Sequence, residues 1–377
     1  MHVLILSCST GGGHNAAGAA MKEALEAAGH QAVLLHYMDL AGKKVADTVD
    51  NTYLKMVKRS PKVFGALYKA GIFISSSRRR SPVYYANAAM GKYLKAYLEE
   101  HPVDYVVMTH LYAAETLTYL KKQMKLPSNL VIATDYTCIP FWEETACEAY
   151  MLPHKDLVEE YVLRGMDREI LHPMGIPVSG KFLEASEKRE SKEERNKIKE
   201  ELGLAKDKRI LLMMGGSMGF GRLAGLARLV RGQMKENEFL AVICGSNQKM
   251  EELLKKEYAS DDRVFIIGKT SRVADYMAVS DLVYTKPGGL TSTEAAAARC
   301  PLVHTDPIPG CETKNRQFFL ERGMCLTGET LEEQAEAGRR LLDDAKLAYA
   351  MQQAQAEHVD ARAAGQIVTW MEERIRE

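Results

Sequence analysis

The chain has 377 residues, 46% hydrophobic and 27% charged, which is the balance of a globular protein with room for two ordinary cores. No run approaches the roughly 20 apolar residues that span a bilayer, and seven cysteines without CxxC spacing argue for reduced thiols in a cytoplasmic protein and against a disulfide framework or zinc site. Lys plus Arg and Asp plus Glu both total 50, yet positions 51–98 hold ten basic residues and no acidic one, where an even spread puts about six acids.

The opening MHVLILSCSTGGGH has no basic lead-in and is too short for a signal peptide; it predicts a buried parallel strand over 2–7. An Ala-rich helix is expected over 15–28, with Gly29 supplying the left-handed residue at its end. Further strands are expected at 31–36, 105–108 and 130–133, and alternating strands and helices imply a doubly wound parallel sheet. The dense charge run at 184–201 reads as a solvated linker leading into a surface helix. After it the alternation restarts, with strands at 210–214, 240–244, 264–267, 282–284 and 302–304 and a helical stretch from 331 to 375. The expected plan is two Rossmann-like halves: 1–177, a linker at 178–195, 196–360, and a C-terminal helix at 361–377 that packs back on the first half.

Two glycine-rich turns follow first strands. In the first, Gly11, Gly12, Gly13 and His14 open a helix, where free N–H groups and the positive dipole end suit an anion. A strict dinucleotide fingerprint would need Gly at 16, which is Ala16; the relaxed G-x-G-x-x-A is met, so the loop alone discriminates poorly, but no acidic residue suited to a ribose ends the second strand. His14 reads either as a simple helix-start polar group or as a general base at the mouth of a cleft. In the second turn, Gly215, Gly216, Ser217, Met218, Gly219, Phe220 and Gly221 can hold a diphosphate through backbone N–H groups and the Ser217 hydroxyl. No DxD pair lies near either loop, so no metal ion or other cofactor is expected.

The basic window carries Phe64, Tyr68 and Phe73, and the apolar run 64–74 is followed at once by three serines and Arg78, Arg79 and Arg80. Apolar residues beside a polybasic cluster suit an anionic membrane surface. Nucleic-acid binding uses the same ingredients and is not expected, and a solvated helix face is the plain alternative.

Further along come TKPGGLTSTEA at 285–295 and DPIPGCETKN at 306–315. Together with GGGH and GGSMG, this set resembles the family-28 glycosyltransferases. The resemblance is nearest to the monogalactosyldiacylglycerol synthases and processive diacylglycerol glucosyltransferases and runs over nearly the whole chain. It implies a GT-B fold, α/β with two Rossmann-like doubly wound domains facing each other across a cleft, and transfer from a UDP-sugar to a lipid acceptor at the cytoplasmic face of a membrane. It makes His14 the base for the acceptor hydroxyl, with Asp135 in the TD motif at the cleft edge. Gly12, Gly13, Gly216, Ser217, Met218 and Gly219 would lie at the diphosphate; Ile267, Gly268 and Lys269 would pass the uracil. Lys286, Gly288, Gly289 and Thr291 surround Glu294, which would accept from the ribose hydroxyls. Gly310, Cys311, Glu312 and Asn315 would line the sugar. Phe64, Tyr68, Phe73, Arg78, Arg79, Arg80 and Trp142 would meet membrane and acceptor. The chain departs from the family at Cys311, where Gln is usual, and at Ile139, near where a His often stands. A UDP-GlcNAc 2-epimerase and a non-catalytic UDP-sugar-binding regulator are the rival readings.

Overall fold

The computed structural model describes residues 1–9, 12–46, 48, 61–215 and 222–376, leaving aside the side chains of 61, 62, 64 and 376. The chain divides into two units. The first comprises Met1–Ser179, Ile308–Cys311 and Arg362–Glu377; the second comprises Gly180–Pro307 and Glu312–Ala361.

The first unit is built on six strands: β1 (His2–Ser7), β2 (Gln31–His36), β3 (Tyr105–Met108), β4 (Ser128–Ile132), β5 (Ala149–Met151) and β6 (Leu171–His172). They form one sheet in the order β2-β1-β3-β4-β5-β6, every pairing parallel. Such strands are covered on both faces, which is why they read as continuous apolar runs; Val3 to Leu6 and Leu130 to Ile132 are all buried. One core cluster joins Val3, Ile5, Val107 and Ile132 to Met21 and Leu25 of the helix Gly12–Ala27. Ile367, Val368, Trp370 and Met371 of the final helix, Ala363–Arg376, fill the same core. Gly29 takes a φ of +83°, the left-handed turn that ends the first helix.

The second unit has β7 (Arg209–Met214), β8 (Glu238–Ile243), β9 (Val264–Ile267), β10 (Ser280–Thr285), β11 (Leu302–His304) and β12 (Leu326–Thr327) in the order β12-β11-β10-β7-β8-β9, again all parallel. Counted within the unit this is the Rossmann order 3-2-1-4-5-6. The order reverses between β7 and β10 in this sheet and between β1 and β3 in the first. Ligands of open α/β sheets bind outside the strands' carboxyl ends at such points.

The charge run at 184–201 departs from the linker expectation: Gly180–Glu190 and Lys192–Glu201 are helices of the second unit. Phe182, Ala185 and Ile198 give them a buried stripe, and the Ser191 hydroxyl accepts from the Glu194 N–H at 3.3 Å, capping the second of them. The stretch after 331 is three helices, Leu331–Asp343, Ala345–His358 and Ala363–Arg376. Asp344 ends one and caps the next, its carboxylate accepting from Lys346 and Leu347 N–H.

Candidate functional site

At the carboxyl end of β1 the chain turns into the helix Gly12–Ala27, which carries Gly12, Gly13 and His14 in its first turn. His14 Nδ1 lies 2.7 Å from the Thr109 carbonyl oxygen, just beyond β3, and 3.1 Å from the Thr134 hydroxyl, just beyond β4. A carbonyl only accepts, so Nδ1 carries the proton and Nε2 keeps its lone pair. Burial lowers the His14 pKa below the ordinary imidazole value, opposed by the Asp135 charge and the Thr109 bond. The ring is therefore neutral at pH 7 and can take a proton at Nε2, and Asp135 stabilises the imidazolium that results.

Two further histidines surround this point, and the sequence reading gave neither a role. His110 caps the helix Leu111–Leu120, Nδ1 accepting from Tyr112 N–H at 3.2 Å, and its ring meets His14 edge-on at 4.5 Å. Burial, with the neighbouring imidazoles, holds it well below the usual range. His36, ending β2, accepts the Ser9 N–H at Nε2 at 2.8 Å. The only local signal was a histidine at or just after a strand end.

In the second unit Lys286 follows β10 and pairs with Glu312 in a half-enclosed contact. Asn315 is wholly buried and donates from Nδ2 to the Pro287 carbonyl at 3.1 Å, bracing the Pro-Gly turn. Glu312, expected at the sugar, pairs with Lys286. Gly288 precedes the helix Gly289–Ala297, which carries Thr291 and Glu294. A Cβ at Gly288 would lie 3.5 Å from Lys286 Nζ, an ordinary contact, so the protein itself leaves room there. The Glu294 carboxyl makes no hydrogen bond or ion pair among the described residues, and burial alone pushes it up to about 8. It is an acceptor without a donor.

The remaining expected positions fall as follows. Gly268 follows β9 between half-buried Ile267 and exposed Lys269; a Cβ on it would meet the Glu251 carboxylate at 2.5 Å. Gly310 has φ +119°, a conformation that favours glycine, and the Tyr68 ring lies 3.2 Å from where its Cβ would be. Cys311 begins the helix Cys311–Glu321 and is in no disulfide. Gly216, Ser217, Met218 and Gly219 lie outside the described residues, as does the Phe64 side chain.

On the helix Pro61–Ile74, Phe73 is 91% exposed and Val63, Leu67, Ile72 and Ile74 are exposed beside it; Arg78 and Arg79 follow, also exposed. Tyr68 is half-buried. Two expected surface residues turn inward. Trp142 is only 3% exposed, packing edge-on against Tyr150, so it belongs to the core and not to a membrane face. Arg80 donates to the Glu144 carbonyl at 2.5 Å and lies over the Tyr84 ring, so it anchors the basic turn from within. Among the described residues no helix is long and apolar enough to cross a membrane.

Two doubly wound parallel sheets, each gathering polar groups at the carboxyl ends of its switch-point strands, define the GT-B fold. Residues 14–178 match the monogalactosyldiacylglycerol (MGDG) synthase family, and residues 194–358 match the glycosyl transferases group 1. A processive diacylglycerol β-glucosyltransferase of Staphylococcus saprophyticus is 28% identical over 279 residues, 73% of this chain and 68% of the relative. Acinetobacter baumannii MurG superposes with TM-score 0.62 at 16% identity over 99% of both chains. The Staphylococcus aureus MnaA–UDP structure superposes at 0.66 and 15% identity over 100% of this chain and 97% of that one. The chain is an enzyme with the GT-B fold, similar to the family-28 MGDG synthases and processive diacylglycerol glucosyltransferases.

Proposed function

We propose that the protein transfers a hexose from a UDP-sugar to a lipid hydroxyl, that of diacylglycerol or a glycosyl-diacylglycerol, with inversion at the anomeric carbon and without a metal ion. The observation that carries this reading is the fixed tautomer of His14, whose Nδ1 is spent on the Thr109 carbonyl while Nε2 stays basic. Relatives named for diacylglycerol glucosyl transfer, and a neighbour of the same fold crystallised with UDP, support the two substrates.

In the proposed step His14 Nε2 takes the acceptor proton as the acceptor oxygen bonds to the anomeric carbon. The bond from that carbon to the diphosphate breaks, and its electron pair leaves with UDP. Asp135 stabilises the imidazolium; the Gly215–Gly221 turn receives the diphosphate charge through main-chain N–H groups, the role that suits a glycine-rich helix start. Glu294 accepts from the ribose hydroxyls. The exposed apolar residues of Pro61–Ile74, with Arg78 and Arg79, hold the enzyme peripherally on an anionic cytoplasmic membrane face, where its acceptor resides.

Mass spectrometry of diacylglycerol vesicles incubated with the protein and a panel of UDP-sugars tests this. A new glycolipid, abolished in His14→Ala by a factor of about 10² or more, is the expected result. UDP-sugar isomerised without an acceptor would instead make the protein an epimerase, and binding without turnover would make it a regulator.

A further inference from the structure

At the amino ends of β7, β10 and β11, the opposite edge of the second sheet from Lys286 and Gly288, lies a cavity of about 600 Å³. Arg189, Arg195, Arg209 and Arg299 line it, with Asp281 and the exposed ring of Tyr349. We propose that this cavity binds a phosphate-bearing small molecule, a compact polyanion, at a site separate from the donor turn.

The hydrogen bonding leaves positive charge unspent. Arg189 donates to the Met277 and Ser280 carbonyls at 2.7 and 2.6 Å. Arg299 donates to the Ala296 carbonyl at 2.9 Å and Arg209 to the Leu342 carbonyl at 2.6 Å. A neutral carbonyl fixes a guanidinium in place without cancelling its charge. Arg209 also has Glu238 at 3.9 Å, but that carboxylate is already held by Arg339 at 2.7 and 2.8 Å. Among the described residues, Arg195 has a tight carboxylate partner, Asp281 at 2.9 Å, which also accepts the Ile210 N–H, and Arg299 has the Asp360 charge nearby. Glu187 and Glu190 stand exposed at the rim. Pre-positioned guanidiniums are the groups that bind phosphate oxygens in pairs.

The backbone gives a second, independent reason. Arg299 has φ +54°, and Phe141 is the other non-glycine among the described residues with positive φ. Such a position just past a helix end ordinarily holds glycine, and a residue with a side chain is strained there. Here the chain keeps an arginine and buries much of it, which lowers its pKa against the nearby Asp360 charge. A long cation retained where glycine is the relaxed choice points to use of the cation. The helix it terminates, Gly289–Ala297, carries Gly289 and Glu294, which the proposed function places at the donor. An anion drawn to Arg299 is therefore one helix away from the donor site, and regulation of donor affinity is the role this placement suits.

The test is calorimetric titration of inorganic triphosphate, then ATP, into the full chain saturated with UDP. Expected is one further site whose affinity falls about ten- to a hundredfold in Arg299→Gln and stays unchanged in Arg78→Gln/Arg79→Gln. Arg299→Gly relaxes the backbone, so it should unfold no earlier than the parent while losing the anion. No heat in the parent, binding untouched by both Arg299 variants, or an anion lost with Arg78 and Arg79 would each overturn the proposal. If UDP itself fails to bind, the donor reading falls, but the Arg299 dependence of triphosphate binding is still read out directly.

Discussion

Glu294 and His14 illustrate how one physical term, desolvation, prepares opposite groups for opposite tasks. Burial depresses the imidazole and keeps it neutral; burial raises the Glu294 carboxyl to about 8 and keeps it largely protonated at pH 7 when no donor group faces it. The folded state holds that proton between the unfolded value of 4.5 and about 8, so this carboxyl's contribution to stability is full below 4.5 and is lost as pH rises toward 8. Hydroxyls donating to the carboxylate favour its ionised form. Nucleotide binding should therefore expel up to one proton near pH 7, and affinity should climb with pH up to about 8 and then level. Calorimetry of UDP binding in buffers of different ionisation enthalpy measures the proton count. Glu294→Gln should bind UDP roughly ten- to a hundredfold more weakly and lose the pH slope. A variant that keeps full affinity would remove Glu294 from the nucleotide site.

At the level of elements, the helix Pro61–Ile74 and the turn after it separate outward from inward residues. Phe73 and Leu67 are exposed and each can bury apolar surface in a bilayer interface, about 1.5–3 kcal/mol for a full side chain. Replacing both with Asp should lower sedimentation with anionic vesicles more than tenfold. Arg78→Gln/Arg79→Gln should weaken binding to anionic but not neutral vesicles. Arg80→Gln should instead lower the melting temperature, because its partners are the Glu144 carbonyl and the Tyr84 ring. If the Phe73/Leu67 and Arg78/Arg79 variants both sediment like the parent, this surface is not the membrane contact. The sequence told the exposed residues from the buried ones only in part. Parallel strands announce themselves as apolar runs, so β1, β2, β3, β9 and β11 were legible to the residue, whereas β5, β6 and β12 span three residues or fewer and carry no period. The helix at 180–190 hid behind its charges, since two buried residues, Phe182 and Ala185, suffice to seat it. Trp142 was misread because an aromatic residue near a motif says nothing of its exposure. His110 was missed because its meeting with His14 depends on β3 lying beside β1, a pairing across some hundred residues that only the topology makes.

For the whole molecule, the chain's path matters more than its length. It leaves the first unit at Ser179, builds the second, and returns at Arg362 to finish the first. Ile367 and Met371 are wholly buried and Val368 and Trp370 nearly so, all in the core that also holds β1, β3 and β4. At roughly 1.5–3 kcal/mol for each buried side chain, the four together contribute on the order of 6–12 kcal/mol, an upper estimate because a real unfolded chain already hides part of that surface. That is comparable with the entire stability of an ordinary domain, about 5–15 kcal/mol. Ending the chain after Asp360 should therefore unfold the first unit while leaving the second, whose core is complete without the last helix. Limited proteolysis should then find 180–360 resistant and 1–179 digested. UDP should still bind through Glu294, with glycosyl transfer lost along with His14. A truncated protein whose first unit resisted proteolysis as well as the parent's would show that the final helix only lies on that core and does not complete it.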